Sequence, residues 1–404
     1  MTIQVDLKHV TYALSDALDL VGVDDVAHGK RVGIMAAECG KTLGLEDDAV
    51  DFLFDLGLLH DIGVSSTRTH RHLVSEFDWD GSQAHAVLGS ELLANFPPLA
   101  SMSLPIRYHH TRWDSLQHIA LDEAVKRQAN LTFLVDRVDA LAAAHYAGNS
   151  LLQHVASIRQ GIDSYRGSYF APDLVDAFLM ASRRESFWLL LEPRSIQSYL
   201  QDVLKHSARS PASLGDLKQM AELFSRIVDA KSPFTHAHSL GVARVGRLLG
   251  ERLNLPQARC DMIEIAGLLH DLGKLRVPDE ILDKPGKLNT DERSIINSHS
   301  FETYQILRNI DGFEEIAPWA AYHHEEPDGN GYPFHLNGAE LPFEAHTSCR
   351  RHLSGHGPGP ALPGRTHRRQ ARMPHRRKAG MSHPCRLLAR RFRGFRRSYE
   401  GLRR

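Results

Sequence analysis

Gly57-Leu58-Leu59-His60-Asp61-Ile62-Gly63 and Gly267-Leu268-Leu269-His270-Asp271-Leu272-Gly273 are nearly the same seven residues, written twice at an offset of 210 positions. At that offset Val32 matches Val242, Gly40 matches Gly250, Leu43 matches Leu253 and Leu45 matches Leu255. A histidine lies 32 residues upstream of each His-Asp pair, at His28 and His238. Downstream stand His85 and His299, each followed 24 residues later by a histidine pair, His109-His110 and His323-His324. Only the stretch between the His-Asp pair and the next histidine differs, by four residues. Self-similarity of this kind decides the architecture before any single motif is read: the chain holds two copies of one unit.

Between these anchors the apolar residues recur at helical spacing, as at Leu240, Val242, Ala243, Leu248, Leu249 and Leu253, and alternating strand patterns are scarce. The predicted fold is all-α with two tandem helical domains. Copy one is expected over residues 1–205, with helical stretches near 173–180 and 186–191. Ser, Pro and Gly cluster in a linker near 206–215, and copy two is expected over 216–345, opening on a helix around 216–229. A chain of 404 residues is long enough for two or three domains, each burying a core. No apolar run approaches the ~20 residues that span a bilayer. The 4 cysteines form neither a disulfide framework nor a CxxC pair, so a reducing cytoplasm is the expected compartment, without membrane contact.

His-Asp adjacency at a helix end, with further histidines upstream and downstream, is the donor set of a metal centre for phosphate-ester chemistry. Imidazoles and carboxylates suit iron, manganese or zinc, and one Asp can bridge two ions. Two ions close together acidify a shared water and clamp phosphate oxygens. A lone pair would read as a helix-end histidine bonded to its neighbour. Six positions recurring at matched spacing do not.

Copy two also carries Thr235-His236-Ala237-His238-Ser239, Leu269-His270-Asp271-Leu272-Gly273-Lys274, the run Ile281-Leu282-Asp283-Lys284-Pro285-Gly286-Lys287-Leu288, and His323-His324-Glu325-Glu326-Pro327-Asp328-Gly329-Asn330-Gly331-Tyr332-Pro333. In these stretches it resembles the HD-GYP family of bacterial signalling phosphodiesterases, closely over about residues 215–345 and more loosely over 20–180. The resemblance implies two HD-type domains and hydrolysis of cyclic di-GMP at a centre of two divalent ions, iron or manganese. It implies His238, His270 and Asp271 as ligands of one ion and His299, His323 and His324 as ligands of a second, with Asp271 bridging. Lys274 would hold the scissile phosphate, while Gly329, Gly331, Tyr332 and Pro333 would shape a loop over the site. Asp283, Lys284 and Lys287 read better as fixing the loop after the His-Asp helix than as touching substrate. His236 falls on the wrong helix face for joint ligation with His238, which makes it a surface or cap residue. Phe234 stands where some members carry an acidic ligand for a third ion, so no third ion is expected.

Copy one keeps the ligand pattern and loses the rest. His28, His60, Asp61, His85, His109 and His110 are present, and Asp136 stands where the family supplies its last carboxylate ligand. The lysine position after the His-Asp pair is Val64, and Thr111-Arg112-Trp113 follow His110 in place of a GYP run. Copy one is therefore expected as a second metal site with a regulatory or dimer-like packing role rather than a catalytic one.

The resemblance breaks after Ala345. Residues 346–404 hold 17 basic residues and one acid, Glu400, against 31 basic and 48 acidic residues before them. The tail has no Ile, Val, Asp or Asn. Such a composition builds no packed core, so a disordered basic extension is expected, and copy two is left without an equivalent of Asp136. Shifting the codons of RHLSGHGPGPALPG, residues 351–364, by one nucleotide permits DIFQAMAQDRPYRA, the continuation the family would have, beginning with the missing Asp. A reading-frame slip near His346 is the reading preferred over a genuine tail that binds polyanions. The expected function is a cytoplasmic cyclic di-GMP phosphodiesterase, impaired in this chain by loss of the late Asp. The rival is a non-catalytic signalling module that binds metal or nucleotide and acts through a homodimer or signalling partners. Nucleic-acid binding rests on tail charge alone and ranks last.

Overall fold

The structure, a computed structural model, describes residues 5–22, 27–148, 150–206, 211–231, 238–342, 344 and 345. The basic tail, Phe234 and His236 lie outside the described residues, and the reading-frame expectation with them.

The all-α expectation holds. Copy one runs through helices α1 (Leu7–Asp19), α2 (His28–Thr42), α3 (Asp47–Leu59), α4 (Thr67–Ser75), α5 (Gln83–Ala94), α6 (Ser103–Tyr108) and the long α7 (Glu123–Tyr146). Helices Leu151–Asp163, Pro172–Ala181, Glu185–Leu189 and Pro193–His206 then pack back onto it. Copy two repeats the plan with α8 (Leu214–Ala230), α9 (His238–Arg252), α10 (Gln257–Leu269), α11 (His299–Leu307) and α12 (Ile316–Ala321). The only paired strands among the described residues are two-residue pieces, with Val5 opposite Ala212 and Asp6 opposite Pro211 in antiparallel register. They tie together the entries to the equivalent helices α1 and α8. Helix α8 starts two residues earlier than predicted, because Ser213 and Asp216 form a reciprocal capping box.

The glycines of the repeated heptad are required by close approach. A Cβ on Gly57 would lie 2.6 Å from the Gly33 Cα, and one on Gly267 would lie 2.8 Å from the Ala243 Cα. These contacts let α3 and α10 cross α2 and α9 backbone to backbone. A Cβ on Gly63 or Gly273 would meet the carbonyl oxygen of His85 or His299 at 2.0 or 2.1 Å. Each heptad is thereby pressed against the turn or helix that brings the next histidine.

The apolar core differs from the expectation of one core per copy. One cluster, including Tyr12, Phe54, Phe133, Phe178 and Trp188, belongs to copy one. A larger one joins the copies: Leu56, Leu59, Ile62 and Val64 share it with Leu268, Leu269, Leu272 and Leu275. The two His-Asp helix ends therefore sit on either side of common packing, and Val64 is occupied as core rather than facing a site.

Candidate metal centres

Each His-Asp pair ends a core helix whose termination leaves carbonyls without intrahelical partners. His60 and His270 use them, and His109, His299 and His323 use carbonyls of the helices that end just before them. His60 Nδ1 donates to Gly57 O (2.7 Å), His109 to Ile106 O (2.6 Å), His270 to Gly267 O (2.7 Å), His299 to Ile296 O (2.6 Å) and His323 to Ala320 O (2.7 Å). A neutral imidazole that donates through Nδ1 carries its lone pair on Nε2, so five imidazoles are locked as acceptors aimed inward.

The inward atoms converge in both copies. In copy one His28, His60 and Asp61 form one group, and Asp61, His85, His109 and His110 form another. In copy two His238, His270 and Asp271 form the first group and His299, His323 and His324 the second. The Asp stands between them with one oxygen to each side. Asp271 Oδ2 lies 3.1 Å from His270 Nε2 and 3.6 Å from His238 Nε2, while its Oδ1 lies 3.5 Å from His299 Nε2 and 3.7 Å from His323 Nε2. Asp61 repeats this, with Oδ2 3.6 and 3.8 Å from His60 and His28 Nε2, and Oδ1 3.1 and 4.0 Å from His85 and His109 Nε2. Asp136 turns its Oδ1 to within 3.5 Å of His28 Nε2 and 3.9 Å of His60 Nε2. The positions of copy two that would match Asp136 fall beyond Ala345, outside the described residues.

These donor sets fit divalent cations. His28 Nε2 and His60 Nε2 stand 3.3 Å apart, as do His299 and His323 Nε2 at 3.1 Å, and lone pairs so placed repel unless a cation or proton lies between them. His110 Nε2 is buried without a hydrogen bond. Burial, reinforced by neighbouring imidazoles, holds His109, His110 and His323 far below the usual histidine range and brings His299 down to about 4 and His324 to about 3. They are neutral imidazoles at physiological pH, the form in which histidine can ligate a metal. Burial would raise Asp61 and Asp271, but the surrounding histidines, with Lys274 beside Asp271, keep both carboxylates ionised. His28 is the exception. Burial pulls it down, yet the hydrogen-bonded Asp139 and the nearby Asp136 and Asp61 lift it to about 9. Arg31 on Asp139 and Arg137 on Asp136 offset two of these carboxylates, so the fit to a cation here rests on the converging donor atoms.

Support around the ligands was only partly predicted. Asp19 accepts from Gly29 N at 3.1 Å, and Asp229 accepts from Ser239 N at 3.2 Å and Ser239 Oγ at 2.8 Å. Both cap the helix that opens on the first ligand, and their spacing of 210 was available as a signal. Asp139 accepts from His28 Nδ1 (2.8 Å), from Arg31 through Nε (2.6 Å) and Nη2 (2.9 Å), and from the Tyr146 hydroxyl (2.5 Å). It lies three residues after Asp136 on the same face of α7, a spacing that could have exposed it.

Lys274 Nζ donates to Asp271 Oδ2 at 2.7 Å, at the rim of the copy-two centre. Tyr332 stacks on His324 with ring centroids 4.6 Å apart, and its N–H reaches His324 O at 3.2 Å. Gly329 has φ +77°, and a Cβ on Gly331 would lie 2.3 Å from Glu326 N. Buried Glu325, which the sequence did not single out, pins this loop by accepting from Phe334 N (2.7 Å) and Leu336 N (2.9 Å). Lys284 is paired with Glu292 at 2.6 and 2.7 Å, a loop brace rather than a substrate contact.

Two helical units, each ending a core helix on His-Asp and gathering histidines about that Asp, define the tandem HD-domain class. HD-domain family models match residues 26–144 and 222–346. The 3'3'-cGAMP-specific phosphodiesterase 1 of Vibrio cholerae is 38% identical over 342 residues, spanning 83% of this chain and 79% of that protein. The cyclic di-GMP phosphodiesterase response regulator RpfG of Xanthomonas campestris is 34% identical over 155 residues, 37% of this chain and 41% of that protein. The crystal structure of a cyclic GMP-AMP-specific phosphodiesterase of Vibrio cholerae superposes with a TM-score of 0.60 at 21% identity, over 86% of this chain and 97% of that one. The chain belongs to the tandem HD-domain phosphodiesterases. No helix among the described residues is long and apolar enough to cross a membrane.

Proposed function

We propose that this chain hydrolyses a cyclic dinucleotide at the copy-two centre. The observation that carries the reading is the company kept there by the His/Asp cluster: a lysine ammonium at 2.7 Å from Asp271 and a Gly-Tyr-Pro loop stacked on His324. His238, His270, Asp271, His299, His323 and His324 would hold two divalent ions, iron or manganese. Bound there, such ions supply Lewis acidity toward phosphate oxygens and an activated water at neutral pH. The protein's own part is positional. Lys274, partly exposed beside Asp271, offers a point charge to a phosphate oxygen. Tyr332 and His324 form a flat aromatic wall, and Glu325 holds that wall still.

Between substrates, 3'3'-cGAMP ranks first, because the relative named for it matches across both copies. Cyclic di-GMP ranks second, since relatives named for it match over about a third of the chain. Copy one would hold ions through His28, His60, Asp61, His85, His109, His110 and Asp136 without turning over substrate, because Val64 lies in the shared core where copy two has Lys274. A non-catalytic signalling role remains the rival for this particular chain, favoured by the lack of any acid between Ala345 and Glu400.

The test incubates the metal-loaded chain with each dinucleotide and follows linear and mononucleotide products. Turnover lost on Lys274→Ala, by roughly 100-fold or more with metal content unchanged, is expected for a group that stabilises charge on the reacting phosphate. Equal turnover with and without Lys274 removes the proposed site.

A further inference from the structure

Where copy two has the short helix Asp279–Leu282, copy one has α4, and the two segments meet. Ser66 caps α4 through Thr69 N (3.2 Å), which leaves the earlier amides of the first turn to find other acceptors. They find one in the other copy. The Asp279 carboxylate accepts from Ser66 Oγ (2.6 Å), Thr67 N (3.2 Å) and Arg68 N (3.2 Å), and Asp279 N donates to Thr67 Oγ1 at 3.3 Å. Lys231, whose side chain is fully buried, donates to Asp279 Oδ1 at 3.2 Å and to Ser65 O at 3.0 Å. This is a buried ion pair with its surrounding donors and acceptors matched, the kind that holds tightly until one partner is removed.

The rest of α4 reaches across the copy-one centre. His70 presents its ring edge-on to His28 at 6.1 Å between centroids, and Leu73 is core. Arg137 clamps the far end by donating to Leu73 O (2.9 Å) and Glu76 O (2.7 Å) while its Nη2 also meets Asp136 Oδ2 at 2.8 Å. One end of the helix is therefore held by copy two, and the other by the arginine that holds a candidate ligand.

We propose that α4 is a lid over the copy-one centre and that Asp279, with Lys231, is the clasp by which copy two keeps it shut. Ions in copy one then exchange with solvent only when a contact made by copy two opens. The inference rests on copy one holding metal, as proposed above.

The test uses the full metal-loaded chain carrying His270→Ala, which strips copy two of ions, and measures their release from copy one into excess chelator. Asp279→Ala is expected to speed that release roughly tenfold or more. It should also strip hydrogen-exchange protection from the amides of residues 67–69 while those of α2 keep theirs. Ser66→Ala removes two hydrogen bonds, the one to Asp279 and the cap of Thr69 N, and no charge, so it should act in the same direction with a smaller effect, and it decides alone if Asp279→Ala does not fold. Release unchanged in these variants overturns the lid. So does equal acceleration from copy two in a His60→Ala chain, which would mark general loosening. A His270→Ala chain that binds no ion overturns the copy-one metal reading, and the lid with it.

Discussion

Copy one has the more complete cage and copy two the more complete workplace. Around His28, copy one arrays Asp61, Asp136 and Asp139, braced by Arg31 and Arg137, and lays a helix across them. Copy two has the short helix Asp279–Leu282 in place of that helix, Lys274 in place of Val64, and the loop stacked on His324. The residues that hold a metal and those that handle a substrate thus vary independently in one repeated scaffold. The His-Asp helix end, the bonds from His60 and His109 and from their counterparts His270 and His323 to main-chain carbonyls, and the paired Asp oxygens survive in both copies because the packing of the fold itself supplies them. The lysine is a substitution at the position of Val64, and the loop follows the histidine pair, so each lies outside the four-residue length difference between the copies.

The largest contrast should come from the bridging position. Asp271→Asn keeps the shape and loses the anion, so copy two should lose its metals and turnover should fall by more than ~100-fold, because losing a residue that would touch the ions costs more than losing one that only supports such a residue. His60→Ala should leave most turnover intact. Reversal of these results, measured as metal stoichiometry and rate on the same samples, would move catalysis to copy one. Next in size is the late carboxylate. A chain carrying DIFQAMAQDRPYRA in place of residues 351–364 would have an Asp at nearly the spacing of Asp136 from His110, and the affinity of copy two for metal should then rise by at least ~10–100-fold, with turnover following. An unrepaired chain that already matches the repaired one shows the carboxylate to be dispensable. Smaller again, Glu325→Ala should lower kcat/KM roughly tenfold by loosening the loop and should expose the Phe334 and Leu336 amides to exchange, with metal content unchanged. A changed metal content would mean that Glu325 supports the ligands instead.

The repeat made most of this legible. Equal spacings named the histidines and the His-Asp pairs that the structure gathers, the family resemblance added Asp136, and the helices expected near 173–180, 186–191 and 216–229 lie within two residues of those bounds. What escaped were contacts that depend on which surfaces meet. Val64 looked like a lost lysine and is also a core residue shared between copies. Asp279 carries no motif, and its partners Ser66, Thr67 and Arg68 lie more than 200 positions away. Glu325 follows the ligand pair directly, yet nothing in its spacing says that it turns to bind main chain. Asp19 and Asp229 could have been found, since they obey the same offset as the histidines.

The finest difference between the copies lies at one core position. Ile265 of α10 is fully buried, and its counterpart at the 210 offset is Asp55 of α3. Asp55 Oδ1 is buried without a hydrogen bond, and the nearest cation, Lys8, stands 4.0 Å from Oδ2 while pairing with Asp51 at 2.7 Å. Burial raises Asp55 to about 6, with Lys8 and Tyr12 opposing and Asp51 adding to the rise. A carboxyl whose pKa is higher folded than unfolded stabilises the fold when protonated. Its contribution is therefore complete below about pH 4 and is lost as pH climbs toward 6. Asp55→Asn, which stays neutral, should stabilise the chain at pH 7 by on the order of 1–2 kcal/mol, after discounting the shift for water that reaches the side chain. The advantage over the unmodified chain should shrink as pH falls toward 4, read as the difference between the two melting temperatures at each pH. A difference that stays constant from pH 4 to 7 would mean that Asp55 is ionised throughout and that copy one tolerates a charge where copy two requires isoleucine.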